Sequence, residues 1–72
     1  MNFDDFDIEK SKMYFETNAF FDIMLHDGTV HNHVVLFSFD GEKLKTVYKF
    51  SNLDGDFWET SKVKMIRFNE EQ

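Results

Sequence analysis

The stretch FFDIMLHDGTVHNHVVLF, residues 20–37, decides the fold. Two runs rich in Val, Ile, Leu and Phe flank Asp27-Gly28, and Asp-Gly readily enters the positive-φ backbone of a tight hairpin turn. A two-residue turn there sets Leu25 opposite Val30, Ile23 opposite Asn32 and Phe21 opposite Val34. One face of the ribbon then holds Ala19, Phe21, Ile23, Leu25, Val30, Val34 and Leu36, with Asn32 alone out of character. The other holds Asp22, Met24, His26, Thr29, His31 and His33. Because strand side chains alternate between faces, this partition predicts an antiparallel hairpin with one buried side.

Working outward, Asp40-Gly41 and Asp54-Gly55 repeat the same dipeptide at similar spacing and predict two further turns. A two-residue turn at Asp40-Gly41 would place Lys43, Lys45 and Lys49 on the face of Val34 and Leu36. A three-residue loop with Gly41 in the left-handed position instead brings Leu44, Thr46, Tyr48 and Phe50 to the apolar side, and is the better expectation. Beyond Asp54-Gly55, residues 57–68 read as a last strand of open register, followed by a polar tail, 69–72, expected to fray. Upstream, acidic residues lead and Lys10 and Lys12 follow, an order that complements a helix dipole and predicts a short helix within 2–12; residues 12–17 could instead open a strand.

The fold class is therefore α+β and predominantly β. A short N-terminal helix precedes a four- or five-strand antiparallel meander or small barrel, in one domain spanning 1–72. Phe20, Val35, Phe37 and Phe39 fall on the nominally polar side. They call for a cover from Phe3 and Phe6, from a curl of the long strand, or from a second chain.

A chain of 72 residues hides only about 60% of its unfolded surface, so its core is small. It has no cysteine, which excludes disulfides and thiolate metal sites. Ten Phe, two Tyr and one Trp supply aromatic packing instead. No apolar run reaches the ~20 residues that cross a bilayer, and the first residues are acidic rather than signal-like, so the expected location is the cytosol. The Phe-, Lys- and Asn-rich, proline-free composition suggests an AT-rich genome such as that of a phage, or another mobile element, or a low-GC bacterium.

A net charge of −6 and a pI near 4.8 oppose a broad grip on nucleic-acid phosphates. Three candidate surfaces compete. His31, His33 and His26 with Asp22 could hold a divalent metal if one strand face gathers them, the plainer reading being a solvated face with an Asp22–His33 ion pair. Lys43, Lys45 and Lys49 beside aromatics could bind single-stranded nucleic acid, the plainer reading being a solubilising row that guards a strand. Phe57 and Trp58 among Asp54, Asp56 and Glu59 form an aromatic anchor ringed by charge, the composition of an interaction hot spot, although a lone Trp is more often core. No nucleophile elbow, phosphate loop or zinc-protease helix occurs in the sequence. The leading expectation is thus a small acidic, non-enzymatic protein-interaction or regulatory module, inhibitory in kind and able to homodimerise, with no cofactor. Its partner surface is Asp54, Asp56, Phe57, Trp58 and Glu59. A ligand-binding domain using the His or the Lys face is the alternative.

Overall fold

Strand-forming residues dominate the computed structural model, which describes residues 2–12, 19–42 and 45–70. The strands are β1 (Asp4–Asp5), β2 (Phe20–Leu25), β3 (Val30–Glu42), β4 (Lys45–Ser51), β5 (Phe57–Glu59) and β6 (Val63–Phe68), with one helix, α1 (Ile8–Lys12). They form a single open antiparallel sheet in the order β1-β6-β2-β3-β4-β5. The described strands number six rather than four or five. One reason is that the expected last strand is broken: a 3₁₀ turn, Thr60–Lys62, divides it into β5 and β6. β5 lies at one edge while β6 pairs with β2. So short a connection across three intervening strands requires the sheet to coil strongly on itself.

The helix is shorter than residues 2–12 allow. Asp7 fixes its start, its Oδ1 accepting the Glu9 N–H at 3.0 Å, as an N-cap side chain does. Ahead of it, residues 4 and 5 pair with β6 as β1. A strand start within 13–17 lies outside the described residues.

Two of the three Asp-Gly pairs make the same turn. The Leu25 N–H donates to the Thr29 carbonyl at 2.8 Å, the Gly28 N–H to the Leu25 carbonyl at 3.0 Å, and Gly28 sits at φ 90°. Likewise the Asn52 N–H donates to the Asp56 carbonyl at 3.1 Å, Gly55 to Asn52 at 3.4 Å, and Gly55 sits at φ 91°. Both are three-residue loops with glycine in the left-handed position. Asp40-Gly41, by contrast, lies inside β3, where the register slips between Phe39 and Glu42. The last pair of β3 with β4 among the described residues is Glu42 with Lys45, and Leu44 is outside the described residues. The expected sharing of a face still holds where it can be seen, since Leu36 pairs with Phe50 and Ser38 with Tyr48.

The extra residue in the first turn changes what lies opposite what. Ile23 pairs with His31 and Met24 with Val30, one position away from the two-residue expectation. A bulge then places both Asn32 and His33 opposite Asp22, so that Phe21 meets Val34 and Phe20 meets Val35 as expected. His33 carries the bulge at φ 60°, a conformation non-glycine residues seldom adopt.

The core is the face read from the sequence except at Val30, which the longer turn pairs with Met24 on the other side, where it is exposed. Ile23, Val34 and Phe50 are fully buried, joined by Phe21, Leu36 and Val63. Phe50 meets Phe6 at 6.1 Å and Phe21 at 5.8 Å in T-shaped contacts, while Phe21 stacks on Phe68 at 5.2 Å. Such pairs add roughly 0.5–1.5 kcal/mol each beyond the area they bury. Phe6 and Ile8 pack against this face from the N-terminal segment. No helix among the described residues is long and apolar enough to cross a membrane.

Candidate functional site

Two regions concentrate polar chemistry, and they lie on different parts of the sheet. The first is built on Asp22, a buried carboxylate in the middle of β2. β6 runs beside β2 with Arg67 directly opposite, and the Arg67 Nε donates to Asp22 Oδ2 at 2.8 Å. Just past β6, Asn69 Nδ2 donates to Oδ1 at 2.7 Å, and the bulged His33 N–H donates to the same oxygen at 3.2 Å. Burial pushes the Asp22 pKa up, but the hydrogen bonds from Asn69, Arg67 and the His33 N–H, with the Arg67 charge, hold it below the ordinary carboxylate value. Asp22 is therefore a tied anion joining three chain segments and a poor proton acceptor at neutral pH.

A cavity of about 540 Å³ opens over this cluster, lined by Asp22, Asn32, His33, Arg67, Asn69 and Glu70. The His33 ring meets Phe20 edge-on, with centroids 3.9 Å apart, and its Nε2 is buried with no hydrogen-bond partner among the described residues. The expected Asp22–His33 pair thus exists through the histidine's backbone, not its imidazole. Arg67 and Asn69 were not foreseen as Asp22's partners, because the register of β6 was open. Asn69 does not fray as expected. Its N–H bonds the Phe20 carbonyl at 3.0 Å, in addition to the bond its side chain makes to Asp22.

The histidines do not converge. His31 shares the face of Ile23 and stacks on Trp58 with centroids 4.0 Å apart, His26 is exposed in the first turn, and His33 faces Phe20. The described residues contain no group of three or more His, Asp or Glu side chains placed to hold a metal. The shared histidine face on which the metal reading stood is thus absent, for the physical reason that the three-residue turn moves His31 to the other side.

Of the lysine row, Lys45 and Lys49 hold positions on one face of β4, four residues apart. Lys43 lies outside the described residues, Lys45 stands opposite Glu42, and Lys49 stands opposite Glu59 with its Nζ 4.5 Å from the centre of the Phe57 ring.

The second region is the expected partner surface. Asp54 and Asp56 sit in the exposed β4–β5 turn, shaped by Asn52, whose Oδ1 accepts the Asp54 and Asp56 N–H groups at 3.1 and 3.0 Å. Phe57 and Trp58, being consecutive in a strand, point to opposite faces. Phe57 is 58% exposed, and Leu53 at the turn tip 85%. Trp58 is half-buried against the core. Both nonetheless border one groove of about 450 Å³, which Leu25, His26, Asp27, Glu59 and Lys62 also line, where the coil of the sheet brings β5 towards the first turn. Leu25, Asp27 and Lys62 were not foreseen here, because that approach depends on the 3₁₀ connection. No protein-family model matches the chain, and no curated protein or solved structure matches it either.

Proposed function

We propose that this chain is a small acidic protein-interaction module without catalytic activity, regulatory by occupying its partner's surface in the cytosol, and that the partner seats in the groove beside β5. The observation that carries this reading is the groove itself. It joins an exposed Phe57, a half-exposed Trp58 and Leu25 with the carboxylates of Asp27 and Glu59 and with Lys62 and His26. Aromatic anchors in a recess, rimmed by charge, are where binding energy concentrates. Asp54 and Asp56 extend the acidic rim, and the overall charge of −6 favours a basic partner surface.

The non-catalytic half of the proposal rests on Asp22. It is the one buried carboxylate among the described residues, and its hydrogen bonds tie it in place.

The test is capture of a partner by the immobilised chain, with Phe57→Ser and the triple variant Asp54→Asn, Asp56→Asn, Glu59→Gln run alongside and checked for folding by circular dichroism. Phe57→Ser should lose the partner, and the triple variant should hold it less well and with less dependence on salt. Undiminished capture by Phe57→Ser would refute the proposal.

A further inference from the structure

The partner's binding mode can be taken further from the backbone of β5. Antiparallel strands alternate between pairs that exchange hydrogen bonds and pairs that do not. Asn52 and Asp56 are a bonded pair, so Phe50–Trp58 is the next bonded pair, while Ser51–Phe57 and Lys49–Glu59 are not. The N–H and C=O of Phe57 and the N–H of Glu59 therefore point away from β4, towards the open edge of the sheet. Among the described residues no hydrogen bond reaches them. Edge strands are commonly guarded by lysine, proline or a bulge. β5, with sequence Phe-Trp-Glu, has no lysine, proline or bulge; its guards are its three-residue length and the Glu59 charge, and a basic segment would meet that charge rather than be repelled by it.

We infer that the partner binds as an extended, basic segment that adds a strand to the open edge of β5, an inference that rests on the interaction reading above. Strand addition of this kind takes its affinity from main-chain hydrogen bonds and its selectivity from alternate side chains. The groove borders all three residues of β5. Every second side chain of an added strand lies beside Trp58 and Leu25 and so should be apolar; the intervening ones lie on the face of Phe57 and Glu59, where Lys49 of β4 stands opposite Glu59 and over the Phe57 ring, and should be basic because the carboxylates of Asp54, Asp56 and Glu59 outnumber that one lysine. Charge decides against a second copy of this chain. Pairing β5 with itself would bring two sets of Asp54, Asp56 and Glu59 together, whereas a lysine- or arginine-bearing segment answers them.

The experiment uses the full chain and a short fluorescein-labelled peptide of alternating lysine and valine, with a glutamate–valine peptide as the charge control. Fluorescence anisotropy should show saturable binding of the lysine peptide, weakened by salt, and binding at least about tenfold weaker for the glutamate peptide, a difference of about 1.4 kcal/mol. Because alternate N–H groups of a strand face the same edge, one of two lysine peptides, N-methylated either at every lysine or at every valine, should keep its affinity and the other lose it by about tenfold or more. The Phe57 amide should exchange with solvent about tenfold more slowly in the complex.

Equal binding by the two methylated peptides would overturn strand addition. So would an unprotected Phe57 amide, or a dimer of the free chain by light scattering. No binding of the lysine peptide, with protein capture still sensitive to Phe57→Ser, would overturn this inference while leaving the interaction module intact. Capture insensitive to Phe57→Ser would instead remove the reading beneath it.

Discussion

Replacing Asp22 by Asn isolates the charge at the centre of the sheet while keeping the side chain's shape. In the native protein Asp22 Oδ1 takes the His33 N–H and Asn69, and Oδ2 takes the Arg67 Nε. An asparagine can still accept at one oxygen. At the other position it turns an NH₂ donor towards the Arg67 Nε, so one charged hydrogen bond is lost and two become neutral. Hydrogen bonds to charged groups contribute roughly 1.5–3 kcal/mol, neutral ones about 1. Water recovers part of this at Arg67, whose side chain is 31% exposed. The expected loss is about 2–4 kcal/mol, against a total of roughly 4–11 kcal/mol for a chain of this size. pH adds a second readout. The folded-state pKa of Asp22 is depressed, so its contribution is complete above an unfolded pKa of about 3.9 and is lost as pH falls through the folded value. Urea unfolding followed by far-ultraviolet circular dichroism and Trp58 emission, at pH 7 and in steps down to pH ~3, should show a less stable variant whose stability falls less steeply below pH ~4. A loss under about 0.5 kcal/mol, or parallel pH profiles for the two proteins, would refute the network as described.

Two further substitutions probe the turns and the bulge. Gly28→Ala and Gly55→Ala meet nothing within 4 Å of the added Cβ; each should therefore cost only the left-handed backbone strain, about 1–2 kcal/mol, and the two urea-derived losses should agree. His33→Asn keeps a residue that tolerates φ 60° and removes the unpartnered Nε2, so stability should hold or rise by up to about 1 kcal/mol, and a drop larger than that in the same titration would show that the imidazole stabilises the bulge.

What the chain revealed by pattern was the apolar face, because alternation in Phe21, Ile23, Val34 and Leu36 reports directly on which side is buried. Turn chemistry was legible at Asp27-Gly28 and Asp54-Gly55 but not their length, since a glycine in the left-handed position serves two- and three-residue loops alike. That single residue moved His31 to the core face. Its compensation at His33 has no sequence signature, because histidine, although enriched among the few non-glycine residues at positive φ, adopts ordinary strand backbone far more often. Asp40-Gly41 misled because a dipeptide suited to turns also suits an irregularity inside a strand. Of the expected partner surface, the exposure of Asp54, Asp56 and Phe57 followed from their place beside a turn. The groove did not, as it depends on where the 3₁₀ break at Thr60–Lys62 sends the chain. The Asp22–Arg67 pairing was hidden for the related reason that its members are 45 residues apart and meet only through the register of β6.

The place of β6 in the strand order has a consequence for how the molecule forms. β6 is the latest of the six strands in sequence, yet it sits inside the sheet, bonded to β2 on one side and β1 on the other. During synthesis the β2–β3–β4–β5 meander can assemble from neighbours as it emerges, but β1 has nothing to dock on and Asp22 no arginine until β6 arrives. Until then a nascent chain displays an unfilled slot along β2, a natural target for chaperones and for wrong strands. Completing the sheet is a long-range closure, the kind of contact that slows folding.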